Sequence, residues 1–75
     1  MQSKKFEKDI LLKFSKNLRD IRNKKNYTQL FVSVKTGIGV SLYQKYESDN
    51  CPNIKLTNLV KLVNFFQVPF EEFIK

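Results

Sequence analysis

Tyr27-Thr28-Gln29-Leu30-Phe31-Val32-Ser33-Val34-Lys35-Thr36-Gly37-Ile38-Gly39-Val40-Ser41-Leu42-Tyr43-Gln44-Lys45-Tyr46-Glu47 is the stretch on which the reading of this chain turns. Thr28 has the side-chain oxygen that caps a helix N-terminus, and Gln29 follows it as a good helix opener. Gly37 falls where that first helix must stop, and glycine accepts the left-handed backbone of such a stop without steric cost. The spacing predicts a second short helix from about Val40 to Ser48. Leu30 to Val34 taken alone favours a strand, because Phe and Val suit β structure. The segment is short, and the signals on both sides of it place it in a helix.

Two short helices joined by a tight turn can present the second helix to the major groove of DNA. The arrangement here resembles the lambda repressor-like, Cro-type helix-turn-helix family, also called XRE. That family has Thr-Gln, a small residue after an aliphatic one, Gly-aliphatic, an apolar residue six further on and a closing Glu. Thr28-Gln29, Val32-Ser33, Gly37-Ile38, Tyr43 and Glu47 stand at those spacings. Phe14, Leu18, Ile21 and Arg22 look like the family's first helix. Leu59, Leu62-Val63, Phe66, Val68 and Phe73 look like its fourth and fifth. The resemblance covers residues 14–75 and implies an all-α, compact five-helix domain of the lambda repressor-like type.

Working outward, Phe6, Ile10, Phe14, Leu18 and Ile21 recur every three or four residues between charges, which predicts an amphipathic helix from near Ser3 to before Asn26. The first helix is therefore extended, with residues 1–13 as an N-terminal helical extension and the motif at about 28–48. One helix or two over residues 5–25 fits the pattern equally well. Family members usually carry polar residues where Leu30 and Phe31 stand, and the extension is a candidate cover for them. Ser48 to Asn53 is rich in turn formers and reads as a loop. The helix after it would turn Leu56, Leu59, Val60, Val63 and Phe66 inward, and Pro69 sits near the start of the last helix.

A chain of 75 residues holds one domain with a small core. With no His and a single cysteine, Cys51, neither an internal disulfide nor the usual zinc ligand sets can be assembled. A lone Cys fits a reducing cytoplasm. No apolar run reaches membrane-spanning length, and the charged N-terminus does not fit a signal peptide. Glu71-Glu72 lies in the first turn of the last helix, without a nucleophile or a metal set nearby, so no catalysis and no cofactor are expected.

Net charge is +7 and the sequence pI is about 9.7. Residues 1–25 hold nine Lys/Arg against three Asp/Glu, which places +6 of the charge in the first third. Such a balance suits an anionic partner, although a solvated lysine-rich surface would look the same.

On the second helix of the motif, Tyr43 and Tyr46 match the family's core positions. Val40, Ser41, Gln44 and Lys45 are left facing outward. Gln44 can address adenine, Lys45 guanine, Ser41 a base or a phosphate, and Val40 a thymine methyl. In the family the positions of Val40, Ser41 and Lys45 are the usual base readers, and Val40 departs from the polar residue often found there. Leu42 is ambiguous between core edge and groove. The resemblance implies phosphate contacts at Gln29, Ser48 and Asn50, with Lys24 or Lys25 beside them. It also implies a structural ion pair between Arg22 and Glu47. Phe70, Phe73 and Ile74 supply more apolar surface than a small core needs, which suggests a dimer interface.

These readings converge on a sequence-specific double-stranded DNA-binding regulator that pairs with itself on a pseudo-palindrome, with no membrane and no small-molecule ligand. Members of this size include phage Cro-like repressors, antitoxins and restriction–modification controller proteins, and the last type fits best. Two alternatives come from other classes: a protein-interaction module that keeps the fold without base readout, and a membrane-surface role for the basic first helix.

Overall fold

The computed structural model describes residues 2–75, with side chains from Lys4 onward. Five helices follow in order: α1 Gln2–Lys24, α2 Gln29–Thr36, α3 Val40–Tyr46, α4 Leu56–Phe66 and α5 Glu71–Ile74. No strand forms among the described residues. Residues 5–25 thus belong to one helix up to Lys24, which settles the choice the periodicity left open. Asn26, at φ 60°, carries the left-handed turn that follows α1, a conformation in which Asn is among the least strained non-glycine residues.

α2 begins as its cap chemistry dictates. The Thr28 Oγ1 accepts from the Phe31 N–H at 3.0 Å. It ends at Gly37, whose φ is +76° and whose N–H donates to the Ser33 carbonyl at 3.0 Å. The turn is then locked by side chains. The Ser33 hydroxyl donates to the Ile38 carbonyl, the Thr36 hydroxyl to the Val32 carbonyl at 2.7 Å, and Ile38 plugs the core. The β propensity of Phe31, Val32 and Val34 yields to these caps and to the burial of Val32 and Ser33 on one face.

The core consists of Phe14, Leu18, Val32, Ile38, Tyr43, Tyr46, Leu62, Phe66 and Phe73. α1 packs on α3 and α5, and α2 packs on α3 and α4. Phe14 sits at the crossing, with its ring 5.8 Å from Phe73 and edge-on to Tyr46 at 6.4 Å. A buried polar bond joins α4 to α3 within this apolar volume: the Asn58 Nδ2 donates to the Tyr46 hydroxyl at 2.9 Å. It fixes the register of α4 against α3 and satisfies a buried amide.

Four expectations need correction. α3 ends at Tyr46 rather than Ser48, with Glu47 as its C-cap. The extension of α1 does not cover α2. Its first turns run beside the loop after α3, where Lys4, Glu7, Lys8 and Leu11 share a hollow with Asp49, Asn50 and Cys51. Leu30 and Phe31 stay 60% and 39% exposed. On α4 the buried stripe is Asn58, Leu62 and Phe66, whereas Leu56 and Val60 point outward. That helix is apolar around more than half its circumference, so periodicity alone did not select the core side. Finally, Phe73 is fully buried against Phe14 and Phe66, which removes it from any surface offered to a second subunit.

Candidate nucleic-acid interface

α3 divides cleanly. Tyr43, Tyr46 and the C-cap Glu47 are buried, while Val40, Ser41, Leu42, Gln44 and Lys45 are exposed. Two tyrosines three residues apart anchor one side of the helix, and the helical period turns the residues between them to solvent. Leu42 lies on this outward side, at 36% exposure. Lys24 and Lys25 are exposed at the end of α1, as is Asn50 in the loop after α3. Ser48 is half-buried, and its hydroxyl is used locally, donating to the Lys45 carbonyl at 2.8 Å and accepting from the Asn50 N–H at 3.2 Å. That hydroxyl shapes the loop presenting Asn50.

Behind the exposed face lies a buried polar junction. The Arg22 guanidinium grips the Glu47 carboxylate in a fork, with Nε to Oε2 at 2.7 Å and Nη2 to Oε1 at 2.9 Å. Its Nη1 donates to the Tyr27 carbonyl at 2.8 Å. The Tyr43 hydroxyl donates to Oε2, and the Gln29 amide donates to Oε1 at 3.0 Å. Arg19 adds a bond to the Glu47 carbonyl at 3.1 Å. One carboxylate thereby ties α1, the start of α2 and the middle and C-terminal end of α3 together. Charge-assisted, bidentate bonds of this kind are the strong ones.

The electrostatics follow from this geometry. Burial disfavours the Glu47 charge, yet the bonds from Arg22, Tyr43 and Gln29 outweigh it and hold the carboxyl below its usual 4.5. The bond to Glu47 raises Arg22 further above its ordinary value, against some loss from burial. Burial, and then the neighbouring carboxylate, push the Tyr43 phenol above its ordinary 10.0, so it stays a donor. Cys51 is half-buried and its thiol is pushed up to about 11 by burial, which leaves little reactive thiolate.

Sequence reasoning did not anticipate that Gln29 and Tyr43 share the Glu47 carboxylate. The Tyr43–Glu47 spacing of four was a legible signal, whereas Gln29 is 18 residues away and gave none. The Gln29 side chain is turned inward, so what α2 offers at this end is the backbone N–H groups of Gln29 and Leu30, which have no acceptor within the helix, the Phe31 N–H being taken by the Thr28 cap. Among the described residues no His/Cys/Asp/Glu group could hold a metal ion, and no helix is long and apolar enough to cross a membrane.

A helix-turn-helix with a buried junction behind and an exposed outer face carrying Ser41, Gln44 and Lys45 on its second helix defines a DNA-binding regulatory domain. The sequence model of the helix-turn-helix family matches residues 18–73, and the chain belongs to that family, in its XRE, lambda repressor/Cro-like form. No curated protein and no solved structure matches the chain significantly. The family is one of DNA-binding regulators and is not typically enzymatic.

Proposed function

We propose that the protein is a sequence-specific transcriptional regulator over residues 1–75, acting in the cytoplasm as a dimer on a pseudo-palindromic operator. The observation that carries this reading is the outward face of α3. Ser41, Gln44 and Lys45 lie exposed on a helix whose opposite face is fixed by Tyr43 and Tyr46. Ser41, Gln44 and Lys45 read base edges, and Val40 supplies a methyl contact. The α2 N-terminus at Gln29, together with Lys24, Lys25 and Asn50, meets phosphates on either side and sets the register without reading sequence, while Ser48, whose hydroxyl is spent on the Lys45 carbonyl, holds the loop that presents Asn50.

The dimer forms through a groove that only apolar side chains line: Leu56, Leu59, Val60, Val63 and Phe70. Ile74, half-buried at the end of α5, borders the packed face. An interface of this kind buries the same patch on both subunits and sets the recognition helices about one DNA turn apart, roughly 34 Å.

The test is footprinting of the purified protein on DNA upstream of its own gene. The expected result is a symmetric protected site of two half-sites about 10 base pairs apart, centre to centre. Equal affinity for that DNA and for random duplex would defeat the reading. It would favour the second one, a protein-interaction module without base readout, for which the exposed Val40 and Leu42 are the supporting observation.

A further inference from the structure

The outer face of α2 has no part in the DNA reading. Of its four apolar residues only Val32 is buried, while Leu30, Phe31 and Val34 are 60%, 39% and 69% exposed. Contiguous exposed apolar groups of this kind mark interaction sites. The patch is rigidly backed. The Phe31 ring lies 4.8 Å from Tyr27 and 6.3 Å from the half-buried Phe65 of α4. Beside it a hollow is lined by Lys35, Thr36, Lys61, Asn64 and Phe65, and the Lys35 ammonium stands 5.6 Å from the Phe31 centroid.

The charge around this patch has one sign. No Asp or Glu occurs between Asp20 and Glu47, or between Asp49 and Glu71, and the Glu47 carboxylate is consumed by Arg22. Lys35 and Lys61 rim the apolar surface, and neither is in a salt bridge among the described residues. A second copy of the chain would bring lysine against lysine, a like-charge contact that costs affinity. Leu30 and Val34 gain nothing from a phosphate backbone. A membrane would meet a short helix with a hollow beside it, whereas a peptide side chain can fill that hollow.

We infer that the outer face of α2, with Lys35, Lys61 and Phe65, is a docking surface for an acidic amphipathic helix of a partner protein. Its apolar stripe rests on Leu30, Phe31 and Val34, and its carboxylates meet Lys35 and Lys61. This surface does not depend on the DNA reading, because none of its side chains is assigned to DNA.

The experiment titrates the full chain with two synthetic amphipathic peptides of about five helical turns that share one leucine stripe. One carries Glu on its polar face and the other Lys. Backbone amide shifts locate the site and fluorescence anisotropy gives the affinity. The Glu peptide is expected to bind saturably, with shifts concentrated at residues 30–35 and 61–65. Val34→Asp and Lys35→Glu should each weaken it about tenfold or more, and higher salt should weaken it further. Four outcomes overturn the inference: equal binding of both peptides, shifts confined to the Leu56–Phe70 groove, unchanged affinity in both variants, or no saturable binding of the Glu peptide. Self-association that Val34→Asp abolishes, or binding to phosphatidylglycerol vesicles in place of the Glu peptide, would assign the face to a second copy or to a membrane.

Discussion

Residues 1–47 carry eleven Lys/Arg against four Asp/Glu, whereas residues 48–75 balance three against three, so the whole net charge of +7 lies on the half with α1, α2 and α3. The two halves are also held differently. The basic half is joined by a buried carboxylate that gathers Arg22, Tyr43 and Gln29. The neutral half is held by ring packing of Phe66 on Phe73 and of Phe73 on Phe14, and it exposes an apolar groove. Directional bonds fix the orientation of α3, while non-directional apolar area suits self-association. The difference teaches where each kind of damage should appear.

The largest effect is expected at the polar junction. Arg22→Ala strands the Glu47 charge in the interior and should cost about 3 kcal/mol of folding stability. Thermal denaturation measures this, and DNA affinity should fall with it. An unchanged Tm with lost DNA binding would mean that Arg22 serves phosphate alone, and the contrast between the halves would break.

Phe70→Glu places a charge in the apolar groove of the other half. Phe70 is 44% exposed, so the chain should stay folded. Sedimentation should then give a monomer, and operator affinity should fall on the order of a hundredfold, because two linked half-sites become one. A monomeric unmodified protein at micromolar concentration, with tight operator binding, would remove the groove from the assembly.

Lys45→Ala tests the readout face itself. It should cost about 1–3 kcal/mol on the operator and relax preference at one base position. Equal losses on operator and random duplex would mark Lys45 as a phosphate contact. Competition binding with single-base operator variants separates the two.

The smallest effect is a pH dependence confined to the polar junction. Glu47 titrates below its usual 4.5 in the folded chain, so its stabilisation is complete above that value and fades as pH falls through the folded value. Tyr43 titrates above its usual 10.0, so its contribution is complete below 10.0 and fades as pH rises through the folded value. Melting curves should show a plateau between these limits, and Glu47→Gln should flatten the acid side. An acid side identical in that variant would assign the effect to other carboxylates.

What was legible in the sequence lay in local chemistry. Thr28 and Gly37 marked the ends of α2; the Arg22–Glu47 pair, which meets at 2.7 Å, was implied by the family resemblance and not by local chemistry. What was hidden depends on tertiary choice. Leu56 and Val60 look as buriable as Leu62, yet Asn58 takes the inner stripe because the Tyr46 hydroxyl offers it a partner across 12 residues. The inward turn of Gln29 was hidden for the same reason. Its amide is claimed by a carboxylate 18 residues away, which no local pattern announces. The surplus apolar residues of α2 were visible, but their supposed cover was not there.

Gly37 carries one more consequence. A Cβ built there meets nothing within 4 Å, so room is not what excludes a side chain; the φ of +76° is. The requirement is one of handedness. Of the two mirror-image alanines, only the D form has its favoured backbone region at this angle. A chain synthesised with D-alanine at position 37 would keep the turn and lose disorder only from its unfolded state, so it should be the more stable one. The joint between the two helices is thus a chiral element written with an achiral residue.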